Sequence, residues 1–233
     1  MLAVMVADVP RPWQAGSASI REAMSLIVLD HPLAHDLMAR LRQRDTDPAQ
    51  FRNLTRRLGW MLMIEATRDL ATEPVTVDTP LESTQGRHLS EPLVAIPVLR
   101  AGLGLLDAVT DLYPDTVVGY LGMERDEITL QPRDYYAKLP PMEGRRALVL
   151  DPMLATGGSG SAAVTHVKTK ASPIAISFVC VVAAPEGVER MRADHPDVPI
   201  VAGALDHRLN DVGFIVPGLG DFGDRLHGTP QGG

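Results

Sequence analysis

The stretch LVLDPMLATGGSGSAAV, residues 148–164, decides the fold. It runs from an apolar segment through one acid, Asp151, into Thr156-Gly157-Gly158-Ser159 and then into small helix formers. That order describes a strand delivering a turn to the start of a helix. Glycines allow successive N–H groups to face one anion, and the helix start adds its positive end. The Thr156 and Ser159 hydroxyls can donate to further phosphate oxygens. Taken alone, the turn fits a plain strand–turn–helix link as well as a phosphate cradle.

Three common motifs do not fit. A Walker A loop needs Gly-Lys-Ser/Thr, and no lysine lies between Lys138 and Lys168. Gly102-Leu103-Gly104 starts a dinucleotide fingerprint, but Asp107 stands where its third glycine belongs. Gly158-Ser159-Gly160 is only superficially close to a GxSxG nucleophile elbow.

Outward from this stretch, apolar runs rich in Val and Ile recur at 93–99, 116–121, 146–150, 174–183 and 200–204. Continuous short runs separated by helical segments predict strands buried on both faces of a parallel sheet. Residues 102–112, 160–170 and 187–194 are the expected crossover helices. Upstream, Leu33, Leu37 and Leu41 recur at helical spacing, and Asp47-Pro48 opens a second helix through Phe51, Leu54, Leu58 and Leu62. A strand-like run at 25–29 precedes them, and the polar stretch 72–92 suits short strands and loops. The expectation is an α/β domain over 24–233 with a helical N-terminal part. Residues 1–23 read as a loose tail, and translation starting at Met24 is a further expectation.

Bulk properties narrow the class. The 233-residue chain is 45% hydrophobic and 22% charged, ordinary values for a globular protein. Its net charge of −7 argues against nonspecific nucleic-acid binding and against an anionic membrane surface. No apolar run reaches the length of a membrane span, and no basic region precedes the apolar N-terminus, so the cytoplasm is expected. Cys180, the single cysteine, lies in an apolar run and reads as a buried strand thiol. His31, His35, His166, His195 and His207 are scattered and read as polar surface or loop positions rather than metal ligands.

A second strand end carries chemistry. Pro97-Val98-Leu99-Arg100-Ala101-Gly102 places an arginine just after a buried run, where its planar fork could grip a diphosphate. The alternative is a surface arginine at a helix start, which the helix dipole disfavours.

Together these segments resemble the type I phosphoribosyltransferases, and Asp-Pro-Met-Leu-Ala-Thr-Gly-Gly-Ser is similar to the turn of the uracil phosphoribosyltransferase family. Most proteins of that fold carry two adjacent acids here; this chain has Asp151 and Pro152. Asp30-His31-Pro32-Leu33, Glu65-Ala66-Thr67-Arg68-Asp69, Ala183-Ala184-Pro185-Glu186-Gly187 and Ile215-Val216-Pro217-Gly218-Leu219-Gly220-Asp221 also resemble family segments in family order, from about residue 25 to 228. The resemblance implies a parallel-sheet phosphoribosyltransferase core with a C-terminal hood over the base. It implies that Asp151, Pro152, Met153, Leu154, Ala155, Thr156, Gly157, Gly158 and Ser159 bind the ribose and 5-phosphate of 5-phosphoribosyl diphosphate (PRPP). It places Arg100 and Arg125 on the diphosphate, Asp221 at PRPP, and Ile215, Gly220, Asp221 and Phe222 around uracil. Asp151, Arg100 and Asp221 are thereby the expected catalytic residues.

Uracil presents alternating acceptors and donors along one edge, which a glycine-rich loop can meet with bare backbone. Cytosine's amine would leave a buried donor unpaired, at about 1–3 kcal/mol. Phe222 and Phe214 depart from the commonest residues, as does Gln131-Pro132-Arg133-Asp134, and altered packing is the expected consequence. The resemblance further implies Mg²⁺ on PRPP oxygens with no dedicated protein metal site, a homodimer or homotetramer, and GTP activation in some proteins of the family. Two rivals share the fold: an RNA-binding regulator of pyrimidine genes, and a phosphoribosyltransferase for another base. The acidic charge disfavours the first, and the Gly-Leu-Gly-Asp loop disfavours the second.

Overall fold

A nine-stranded, mostly parallel sheet forms the centre of the computed structural model, which describes residues 26–125 and 132–229. The expectations about residues 1–23 and Met24 lie outside the described residues. Strand β1 (Leu26–Val28) leads into helices α1 (Pro32–Arg42) and α2 (Pro48–Ala66). Both helices have Pro at their start, and both N-caps accept a backbone N–H, His31 from Leu33 and Asp47 from Gln50. Leu37 and Leu41 are buried as the spacing predicts, whereas Leu33 is exposed.

After a hairpin of β2 (Thr72–Asp78) and β3 (Ser83–Leu89) come β4 (Leu93–Leu99), α3 (Leu103–Leu112), β5 (Val117–Val118), β6 (Tyr120–Arg125) and β7 (Pro132–Lys138). Then follow β8 (Arg146–Leu150), β9 (Met153–Leu154), α4 (Gly158–Ala171), β10 (Ala175–Ala183), α5 (Pro185–Asp194) and β11 (Ile200–Leu205). The chain closes with β12 (Arg208–Leu209), β13 (Ile215–Val216) and α6 (Phe222–His227). The sheet order is β1-β11-β10-β8-β4-β6-β7, with β5 beside β4 and β9 beside β10. One edge departs from the all-parallel expectation, because β6 and β7 pair antiparallel, Tyr120 opposite Lys138. The polar stretch after α2 also differs: it is a regular hairpin rather than loops with short strands.

Each apolar run divides between two cores by its period of two. Leu93, Ala95, Leu148, Leu150, Val179, Val181 and Val201 join α1, α2, α3 and α6 on one face. Val94, Ile96, Val149, Phe178, Cys180 and Ala202 meet α4 and α5 on the other. This explains why the strands read as continuously apolar rather than alternating. Cys180 is buried as expected; burial and the neighbouring Asp151 push its thiol pKa up, away from nucleophilic use.

The topology also fixes where a ligand can sit. From β4 the chain crosses through α3 towards β6, while from β8 it crosses through α4 towards β10. The neighbouring strands β4 and β8 therefore diverge, and the crevice beyond their carboxyl ends is the switch point at which α/β sheets bind ligands. Pro97 pairs with Leu150, so the Arg100 and Asp151 turns leave the sheet side by side.

Candidate active site

Close packing at three glycines joins the elements around this crevice. Gly102 donates to Val98 O at 2.8 Å, and a Cβ on it would lie 2.4 Å from Leu150 O and 2.6 Å from Val98 N. The Arg100 turn is thus pressed onto the strand end that carries Asp151. Gly104, in the first turn of α3, leaves room for the Phe222 and Leu226 side chains, which seats α6 against the helix that follows the Arg100 turn. Gly187 in α5 fits under Leu154 O and Ala155 O, where a Cβ would come within 2.5 Å of the latter. The Pro185-Glu186-Gly187 segment is therefore the floor of the 151–159 turn.

Asp151 is buried at the base of that turn. Ser159 Oγ donates to its Oδ2 at 3.1 Å, and its own N–H donates to Val179 O. Burial pushes its carboxyl up to about 6, against the opposing pull of the Ser159 hydroxyl and the Met153 N–H. Above that pH it is a desolvated carboxylate whose remaining lone pairs suit ribose hydroxyls. Pro152 O accepts from Val181 N and Val182 N, and Leu154 O accepts from Ala184 N, so the turn is fastened to β10. Gly157 has φ 77° and precedes α4, whose first turn contains no acid to compete for an anion. Thr156 is exposed, and Gly158 and Ser159 are half-buried, so this turn faces the crevice opening.

Arg100 is exposed at the end of β4, and the Leu99–Arg100 peptide is cis. Arg125 ends β6 opposite Pro132, but its side chain lies outside the described residues, as does the expectation for Gln131. In the C-terminal turn Gly220 (φ 83°) and Asp221 are exposed while Ile215 is buried. Asp221 caps α6 by accepting from Asp224 N at 2.8 Å. The Phe222 ring is 1% exposed and packs edge-to-face on Phe51, with ring centroids 5.1 Å apart. Any contact of Phe222 with a base is therefore made by its backbone.

Several residues with structural leverage on this site gave no local signal. Arg42 ends α1 yet grips Asp206 bidentately, 164 positions away, at 2.8 and 2.6 Å. Arg225 of α6 donates to Leu219 O and Leu41 O, both at 2.6 Å. His195 sits just past the end of α5, a loop position as expected, but it is buried rather than on the surface, with Nε2 2.9 Å from Ser161 O and 3.2 Å from Thr165 Oγ1. Ser161 Oγ donates to Asp194 Oδ2 at 2.6 Å, so this cluster joins α4 to α5 behind the phosphate turn. Only spatial proximity identifies such residues, since none belongs to a contiguous motif. Among the described residues no group of three or more His, Cys, Asp or Glu is placed to hold a metal ion. Among them, too, no helix is long and apolar enough to cross a membrane.

The family model described as uracil phosphoribosyltransferase matches residues 28–229. The chain belongs to the uracil phosphoribosyltransferase family. It is similar to the uracil phosphoribosyltransferase of Acholeplasma laidlawii, at 48% identity over 206 residues covering 88% of this chain and 98% of the relative. The same holds for that of Roseiflexus sp., at 49% identity over 205 residues, again 88% of this chain and 98% of the relative. A protein of known structure from Aquifex aeolicus superposes with a TM-score of 0.84 at 38% identity, covering 89% of this chain and all of that one. The family's span begins and ends close to where the sequence resemblance does, and all three turns of the crevice fall inside it.

Proposed function

We propose that the chain transfers the 5-phosphoribosyl group of PRPP to N1 of uracil, giving UMP and diphosphate. The C1′–oxygen bond to diphosphate breaks, the N1–C1′ bond forms, and the N1 proton leaves. One observation carries this reading: a buried carboxylate, an acid-free Gly-Gly helix start and a glycine-rich backbone turn converge on one switch point. In this reading the 156–159 turn holds the 5-phosphate with backbone N–H groups, and Asp151 accepts from the ribose hydroxyls. Arg100 and Arg125 neutralise the departing diphosphate, while the Ile215, Gly220, Asp221 and Phe222 backbone receives the base. Catalysis then rests on positioning and electrostatics, because cationic character develops at the ribose as negative charge leaves.

Mg²⁺ fits this donor set as a substrate-borne ion. It would be carried on the phosphate oxygens of PRPP, and Asp151 and Asp221 are the carboxylates that could help hold it. When bound it would offset diphosphate charge; the chain's residues align the reactants. The test is UMP formation from PRPP with and without Mg²⁺, against a panel of uracil, orotate and hypoxanthine. Consumption of orotate or hypoxanthine with uracil untouched would sink the assignment, and velocity with and without GTP tests the effector that the resemblance implies.

We extend the proposal to a homo-oligomer, supported by the β2–β3 hairpin. Both of its strands are exposed along nearly their whole length, Val75, Gly86 and Leu89 being half-buried, and Leu81 near its tip is 96% exposed. A two-stranded hairpin is marginal in water by itself, so a second copy is the expected cover. Light scattering should give a multimer for the full chain, and a monomer when residues 73–88 are replaced by a short Gly-Ser link. A monomeric full chain would refute the oligomer.

A further inference from the structure

The C-terminal turn is held by two arginines that lie outside every segment assigned to substrate. Gly218 has both of its backbone groups fixed: its N–H donates to Asp206 Oδ2 at 2.8 Å, and its C=O accepts from Arg42 at 2.7 Å. Arg42 spans Gly218 O and both oxygens of Asp206, whose side chain is 4% exposed. Asp206 is in turn tied to the sheet by its N–H, which donates to Ala183 O at 2.8 Å. One residue on, Leu219 O accepts from Arg225, whose guanidinium also reaches Leu41 O and Gln43 O and lies over the Phe51 ring. Gly218 itself, at φ 61°, has no room for a side chain, since a Cβ would lie 2.1 Å from Ile215 O.

Peptide planarity turns this bracket into an aiming device. The Leu219 C=O and the Gly220 N–H belong to one planar unit and point in opposite directions. Holding that carbonyl against α1 and α6 therefore directs the Gly220 N–H the other way, away from the core. The peptides on either side of Gly218 are pinned likewise, so the last fixed unit delivers the chain to Gly220 and Asp221. We infer that Arg42 and Arg225 are positioning residues for the base, preorganising the Gly220–Asp221 backbone so that uracil meets its donors and acceptors without ordering the loop first. This rests on the placement of uracil at that turn.

Arginine suits the task because its rigid planar fork grips the Asp206 carboxylate bidentately while also donating to the Gly218 carbonyl, a fixed geometry that the compact ammonium of lysine lacks. The test is steady-state kinetics of Arg42→Ala, Arg42→Lys and Asp206→Asn, with uracil and PRPP varied separately and folding checked by thermal melting. Loss of a charge-assisted bracket should raise KM for uracil about 10- to 100-fold in Arg42→Ala, with partial recovery in Arg42→Lys. KM for PRPP should rise less than KM for uracil, because the 151–159 turn keeps its own bonds to β10 and Asp221 is the one PRPP position beyond the bracket. An unmoved uracil KM in a folded variant, or equal rises in both KM values, would overturn the inference. If Arg42→Ala does not fold, Asp206→Asn is judged by the same split. Native protein that leaves uracil unconsumed would refute the base site itself, a result distinct from uracil turnover with unmoved KM values.

Discussion

Replacement of Asp151 by Asn is expected to make the protein less active and, above pH 6, more stable. The native carboxyl is raised from 3.8 to about 6 chiefly by burial. A group whose folded pKa lies above its unfolded value binds its proton more tightly in the native state. Its stabilising contribution is therefore present below about pH 4 and is lost as pH rises through 6, by about 3 kcal/mol at most. An amide of the same shape carries no such cost and can still accept from the Met153 N–H or pair with Ser159. The difference in unfolding free energy between variant and native protein should grow in the variant's favour from pH 4 to 6 and then level off.

Activity moves the other way. Hydrogen bonds to a charged acceptor contribute about 1.5–3 kcal/mol each, so losing the charge under two ribose hydroxyls should lower kcat/KM for PRPP about 100-fold or more. In the native enzyme KM for PRPP should rise as pH falls through about 6, while the variant shows no such inflection. Chemical denaturation at several pH values, paired with initial rates, checks both arms. A variant that is fully active, or that loses stability at pH 8, contradicts the role given to this carboxylate.

Gly102→Ala should damage stability and activity together. Its new methyl would meet Leu150 O, Val98 N and Val98 O at 2.4, 2.6 and 2.7 Å, and all three are backbone atoms of central strands. No side chain can swing aside, so β4 and β8 must part or the Arg100 turn must lift. Overpacking of this kind costs about 1–3 kcal/mol, and the absence of any flexible neighbour puts the expected loss at the upper end. Lifting the turn also moves Arg100 relative to Asp151, so kcat should fall even where the variant remains folded. A melting midpoint and kcat both at native values would show that the two turns are not coupled through this contact.

Much of the architecture was legible without coordinates, because the signals are local. Asp47-Pro48 announces a helix start, five apolar runs announce buried strands, and Thr156-Gly157-Gly158-Ser159 announces the turn that opens α4. Arg100 was legible for the same reason: its place after a buried run is a property of neighbouring residues. The antiparallel β6–β7 edge was not, since residues 132–138 carry no apolar run of the kind that marks the buried strands.

What only the tertiary structure decided depends on contacts between distant positions. Asp151 is an ordinary acid in the sequence, and burial at the carboxyl end of β8 is what raises its pKa, against the lowering pull of the Ser159 hydroxyl. Phe222 departs from the family's commonest residue in sequence, and only the fold shows where its ring goes, packed edge-to-face on Phe51. Arg42 and Asp206 are unremarkable in their own segments, and become a bracket only when α1 is laid against the end of β11. Sequence determines which backbone can form a turn, because that is settled by neighbours; folding determines how the turn is charged and aimed, because burial and long-range hydrogen bonds exist only once the chain is packed.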